Sequence, residues 1–287
     1  MSTQSFDRIP STLPLFARLA LSKGSKDKTL AEPLVAEAKG IVSGRNAVRR
    51  YVQVCGGEEG QSLPILYPQV VANPLVMHLF THPRFPLAAL GLVHVENEIQ
   101  QQRAPRVGEK LDYKVAIPTI ERTPRGYEFE TLIDVSSEEG ELIWQARGRI
   151  LSRAKDPNAP ASSAAPRSAP QPSEWPLIRA FALDAAQGRR YARVSGDYNP
   201  IHLTAPTAKA LGFKKAIIHG MWSAAATAAT LKVGDGPCRL AMEFKTPLFL
   251  PGKANLHART ASEGTQFVLQ DARSFRPILS GVYSVEA

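Results

Sequence analysis

One short run of the chain holds two side chains able to do acid–base chemistry. Residues 191–208 read YARVSGDYNPIHLTAPTA, with Asp197 and His202 five positions apart and Asn199 between them. Ser195-Gly196-Asp197 carries turn chemistry, and Asn199-Pro200 is a second turn signal. The aspartate and the histidine thus stand on either side of a bend that the proline stiffens. A carboxylate and an imidazole on one tight loop can share a water molecule, one taking a proton and the other giving one. The same residues also suit a structural role, with Asp197 capping a turn and His202 packed inside. No nearby cysteine or GxSxG serine points to a covalent intermediate. One aspartate and one histidine at this spacing are too few for a metal site.

Several elements must position this loop. Leu183–Val194 reads as a helix with Asp184 as its N-cap. Downstream, Gly220 to Lys232 (GMWSAAATAATLK) is apolar on all sides, so a helix there belongs inside. Alternating runs around Leu240, Met242 and Phe244, at Phe267–Ala272 and at Ile278–Val285 predict strands, with turns at Pro251-Gly252 and Arg276-Pro277. The first half repeats the pattern. Pro68–Thr81 is its helix, which Pro74 should kink or shorten. Strands follow from Leu92, at Tyr127–Val135 and at Leu142–Leu151, with turns at Gly108 and Glu139-Gly140. A helix followed by an antiparallel sheet, occurring twice, predicts two α+β units related by a pseudo-twofold axis, their sheets side by side. Ala154 to Ser173 is built of Ala, Pro and Ser and reads as a linker. The expected units are therefore 1–153 and 174–287, joined by 154–173. Leu13–Leu21 is helix-like, and nothing in its sequence suggests more than packing.

Composition narrows the classes. The chain has 287 residues, 44% hydrophobic and 21% charged, which is ordinary globular composition. Cys55 and Cys238 form no CxxC, which excludes a disulfide scaffold and a cysteine-based zinc site and suits a reducing compartment. No stretch has the length of a membrane span, and the N-terminus shows no secretory signal, so a cytoplasmic location is expected. The formal net charge is +9, with basic pairs at Arg49-Arg50, Arg189-Arg190 and Lys214-Lys215. Such a surface attracts anions. Zinc-finger spacing, RNP-like aromatics and long Lys/Arg runs are absent, which argues against nucleic acid as the partner. GxGxxG and P-loop signatures are absent too, so no nucleotide cofactor is expected.

The run from Tyr191 to Ala208 resembles the signature of the MaoC-like, or hydratase 2, family of (R)-specific enoyl-CoA hydratases. Tyr191, Val194, Ser195, Gly196, Asp197, Asn199, Pro200, Ile201, His202 and Ala208 fill its slots over eighteen residues. Ile218-His219-Gly220-Met221 is similar to the run that opens the family's central helix. The resemblance covers about 177–287. It implies the hot-dog fold, two units in one chain, each an antiparallel sheet wrapped around a central helix. It implies Asp197 and His202 as a catalytic dyad that adds water across a trans-2-enoyl-CoA to give the (R)-3-hydroxyacyl-CoA. A dehydratase acting on an acyl carrier protein and a non-catalytic thioester binder are the alternatives. Asn199 and Ser195 would hold the loop or the substrate. The Gly220 backbone N–H would bind the thioester oxygen, and Lys214 and Lys215 are candidates for the coenzyme A phosphates. His219 reads as structural. Coenzyme A would enter as part of the substrate, with no metal or further cofactor. A double hot-dog chain can stand alone or pair again as a homodimer. The first half has no Asp-x-Asn-Pro-x-His, and Asn73-Pro74 is its nearest echo. One active site per chain is expected, with the first half lending a cavity for the acyl tail.

Overall fold

Buried residues alternate along several of the long strands, and the halves they build meet edge to edge. The computed structural model describes residues 3–153 and 173–286. The linker expected at 154–173 lies, apart from Ser173, outside the described residues. The first half runs β1 (Thr3–Phe6), α1 (Thr12–Leu21), β2 (Leu34–Val42), α2 (Arg45–Cys55), α3 (Tyr67–Phe80), β3 (Leu92–Gln101), β4 (Lys110–Ile117), β5 (Ile120–Thr123), β6 (Gly126–Ser137) and β7 (Leu142–Arg153). The second half runs β8 (Leu177–Leu183), α4 (Gln187–Ser195), a short 3-10 turn (Pro200–His202), α5 (Ala205–Ala210), α6 (Gly220–Thr230), β9 (Cys238–Phe244), β10 (Gly252–Ala261), β11 (Gly264–Asp271) and β12 (Pro277–Val285).

All twelve strands of the described residues form one sheet. Its order is β1-β2-β4-β6-β7-β3-β9-β12-β11-β10-β8, with β5 paired to β6 off this path. The seam between the halves is the antiparallel pair β3–β9, from Glu96↔Glu243 to Gln101↔Cys238. Arg239 makes a two-pronged contact with Glu98 across it, at 3.0 and 2.7 Å. Period-2 burial is clear on β4, where Leu111, Tyr113, Val115 and Ile117 all point inward. The two halves are thus joined side by side, as the repeated pattern predicts.

Each half lays one long helix against its strands. On α6, Trp222, Ala224, Ala225, Ala226 and Ala228 are all buried, so the all-round apolar reading holds. In the first half, α3 packs against β2, β4 and β6. Pro74 does not shorten it: the helix runs fourteen residues with the proline inside it. Burial of Tyr67, Ala72, Leu75, Met77 and Leu79 outweighs the lost backbone bond. Asn73-Pro74 is therefore mid-helix and is no counterpart of the Asn199-Pro200 bend.

The helix expected over Leu183–Val194 begins later. Leu177–Leu183 pairs with β10 as an edge strand, which claims the first residue. The Asp184 carboxylate then accepts the Ala186 N–H at 2.8 Å and Arg190 at 2.9 Å, turning the chain into α4. The Leu13–Leu21 run is α1, packed on α3.

Candidate active site

The loop after α4 is held by its own polar side chains. Gly196 ends the helix in the left-handed region at φ 71°, a conformation that favours glycine. The Ser195 hydroxyl donates to the Tyr191 carbonyl at 2.9 Å and accepts the Asp197 N–H at 3.2 Å. The Asn199 N–H donates to Asp197 Oδ1 at 3.1 Å, and the Asn199 side-chain Oδ1 accepts the Ile201 N–H at 3.4 Å. These bonds use the polar groups of Ser195 and Asn199 to shape the bend. Further along, the Thr207 hydroxyl donates to the Pro200 carbonyl at 2.7 Å. Arg189 reaches from α4 to the Leu203 carbonyl at 2.8 Å. Gly188, also on α4, lies against the His202 carbonyl, and a Cβ there would collide with that oxygen.

The two histidines expected in separate roles lie together. His202 stacks on His219, with ring centroids 3.7 Å apart and planes 26° from parallel. Ligand-type atoms of Asp197, His202 and His219 all lie within 4.8 Å of one another. His202 Nδ1 is 2.9 Å from the Ile217 carbonyl oxygen, which can only accept, so Nδ1 carries the proton. A neutral His202 therefore has its lone pair on Nε2. His219 Nε2 is 3.0 Å from the Asp197 carbonyl oxygen and is protonated for the same reason. Burial keeps both rings neutral. It pushes His219 down to about 3, helped by the neighbouring His202, while Asp197 pulls the other way. His202 is lowered as well, with Asp197 and the Ile217 carbonyl partly offsetting burial. Stacked rings hold their in-plane lone pairs side by side and do not aim them at one point, which does not suit a shared metal ion.

Asp197, Ser195 and Asn199 line a cavity of about 220 Å³. Its opposite wall comes from the first half: Phe16 and Leu19 of α1, Val76 and Met77 of α3, and His94 of β3. The role of α1 was not legible, because nothing in LPLFARLAL marks a cavity wall. Gly220 opens α6, so its N–H has no acceptor within the helix. Lys214 and Lys215 are exposed on the turn before α6 and do not line the cavity.

The first half has a counterpart of this loop that motif reading missed. Arg49-Arg50-Tyr51 to Cys55-Gly56-Gly57 (RRYVQVCGG) runs parallel to Arg189-Arg190-Tyr191 to Ser195-Gly196-Asp197 (RRYARVSGD). Gly56 ends α2 at φ 78° as Gly196 ends α4, each N–H bonding four residues back. Gly57 stands where Asp197 does. The short loop then reaches the Ser62↔Arg106 bridge, which matches Ile217↔Phe249 in the second half. The segment that carries His202 is missing. Gly57, Ser62, Cys55 and residues of α6 line a second cavity of about 250 Å³. Burial pushes the Cys55 thiol up to about 12, so it is no nucleophile at neutral pH.

Two related halves on one continuous sheet, with the polar cluster in the second half and the cavity wall in the first, define a double hot-dog chain. Residues 166–251 match the model of the MaoC like domain. The chain is 31% identical over 236 residues to 3-hydroxyacyl-thioester dehydratase X of Mycobacterium tuberculosis, covering 81% of this chain and 82% of that protein. It superposes on the crystal structure of HtdX of the same organism with a TM-score of 0.75 at 28% identity, over 87% of this chain and 98% of that one. A MaoC-like dehydratase from Phytophthora capsici shares the fold, with a TM-score of 0.65 at 18% identity over 91% and 98% of the two chains. The chain belongs to the MaoC-like dehydratase family, whose enzymes are hydro-lyases.

Proposed function

We propose that this protein interconverts trans-2-enoyl and (R)-3-hydroxyacyl thioesters, with Asp197 and His202 as the acid–base pair. The observation that carries the reading is the fixed tautomer of His202. Its Nδ1–H is committed to the Ile217 carbonyl, which leaves Nε2 unprotonated on a ring that has a nitrogen within 4.8 Å of the Asp197 carboxylate. In the hydration direction, a water held between the two side chains gives one proton to Nε2 while its oxygen bonds to C3. The C2=C3 π electrons move to C2 and onto the thioester oxygen as an enolate. The imidazolium then returns its proton to C2. Hydroxyl and hydrogen arrive on the same face, so the addition is syn. In dehydration Nε2 takes the C2 proton, the C3–O bond breaks, and the hydroxide leaves with that proton as water. Asp197 accepts the water's second hydrogen and orients it.

In this reading the Gly220 N–H, at the positive end of α6, would receive the enolate oxygen. Such a reaction needs no metal or redox group. The net charge of +9 favours an anionic carrier, coenzyme A phosphates or an acidic carrier protein alike. The test is loss of the enoyl-thioester ultraviolet band with crotonyl-CoA and a longer trans-2-enoyl-CoA. Asp197→Asn and His202→Ala should each slow the reaction about a hundredfold or more. Full activity in both variants refutes the assignment. An inactive wild-type protein whose Tm still rises with thioesters would favour binding without turnover or a carrier-protein substrate.

A further inference from the structure

The cavity beside Gly57, about 250 Å³, is as large as the one beside Asp197, about 220 Å³. Their walls correspond residue by residue. Tyr191, Ser195 and Asp197 line one, and their counterparts Tyr51, Cys55 and Gly57 line the other. Counting onward from the matching bridges Ser62↔Arg106 and Ile217↔Phe249 pairs Val70 with Ala225, Asn73 with Ala228 and Met77 with Lys232. The first member of each pair lines the cavity of Asp197, and the second lines that of Gly57. The same positions of a loop helix and of a central helix thus build both, which makes them two copies of one binding site.

We propose that the cavity beside Gly57 binds a second molecule of acyl thioester and does not turn it over. This rests on the thioester reading above. The chemistry is gone from this copy: Gly57 has no carboxylate, and the short loop to Ser62 leaves out the segment that carries the histidine. The room is kept. A Cβ on Gly57 would meet Ala229 and Val52 at an ordinary 3.6 Å, so packing does not demand a glycine there. On the central helix, Ala225 and Ala228 stand where the other copy has Val70 and Asn73, which sets the wall back. Val52, Leu63 and Ile65 complete an apolar lining suited to a hydrocarbon chain. The charged residues of the lining, Glu58, Lys232 and Asp235, are all exposed. Glu58 lies 3.8 Å from Lys232, and the Ser62 hydroxyl donates to Asp235 at 2.8 Å. The part of the ligand that enters is therefore uncharged, the acyl chain and its pantetheine arm, while carrier phosphates stay in solvent.

The experiment measures by calorimetry how many equivalents of decanoyl-CoA and of decanoyl-pantetheine each chain binds. Both are saturated, so neither is hydrated. Wild-type protein should take up two equivalents of each. Ala229→Leu, on α6, and Val233→Phe, just beyond it, fill the cavity beside Gly57 and should each leave one. A decanoyl-pantetheine with a diazirine at the chain end needs no variant: it should label residues 57–66 and 225–235 of the wild-type protein as well as α3. Fewer than two equivalents in wild type overturns the proposal, and turnover of crotonyl-CoA by the same protein leaves the thioester reading standing. Two equivalents in both filled variants overturn it too, because the second molecule then lies elsewhere. A label confined to α1 and α3 does the same. No binding together with no turnover of crotonyl-CoA removes the reading beneath it.

Discussion

His202 lies flat on His219, 3.7 Å between ring centroids, and the two rings bond in opposite directions along the chain. His202 binds the Ile217 carbonyl just before α6, and His219 binds the Asp197 carbonyl on the loop after α4. The pair thus ties the bend to the start of the helix. His219, read from sequence as structural, is the residue that holds Asp197's backbone beside His202.

This arrangement sets the acid side of the rate profile. In the proposed mechanism His202 must be neutral to accept a proton, and burial lowers its pKa. The acid limb of kcat/KM should therefore fall below the ordinary histidine value of about 6.5. A limb at or above that value would show a ring that titrates in open solvent. The check is kcat/KM against pH at constant ionic strength.

Stability should fall on acidification through His219. Its folded pKa, about 3, lies below its unfolded value, so the unfolded chain binds the proton first. The contribution is full above about pH 6.5 and is lost as the pH drops towards the folded value, at about 1.4 kcal/mol per pH unit. Denaturant midpoints between pH 7 and 5 measure it. His219→Phe should flatten the slope by about that amount.

Gly188→Ala should damage the site without touching a charged group. The new Cβ would meet the His202 carbonyl, forcing α4 and the 3-10 turn apart. Overpacking of this kind costs about 1–3 kcal/mol. The expected result is a lower Tm with a larger loss in kcat than in binding. An unchanged kcat would mean that His202 is not placed by this contact.

Ser195→Ala removes a hydroxyl that bonds both the Tyr191 carbonyl and the Asp197 N–H. A stability loss of about 1 kcal/mol is expected, with a drop in kcat as Asp197 loosens. Thermal melts and steady-state rates separate the two effects.

Val76→Phe should fill the first-half wall of the cavity. Rates on crotonyl-CoA should change little beside a marked loss on longer enoyl chains. Equal losses on short and long substrates would place the acyl tail elsewhere.

The sequence by itself determined many of the elements, the family and the run that carries the candidate dyad. Short-range pattern is enough for the strands β6 and β7, since alternation and turn residues act locally. It is enough for the all-apolar α6, and for Asp197, Asn199 and His202, which one run of eighteen residues brings together. The helix α3 is not shortened at Pro74, because tertiary burial outweighs a local penalty. What only the tertiary structure decided is what meets across long sequence distances. The stack of His202 on His219, the wall of α1 and α3 facing Asp197, and the wall of α6 on the cavity beside Gly57 all depend on packing between elements. No periodicity encodes such contacts, because they are set by how the pairing of β3 with β9 seats one half against the other.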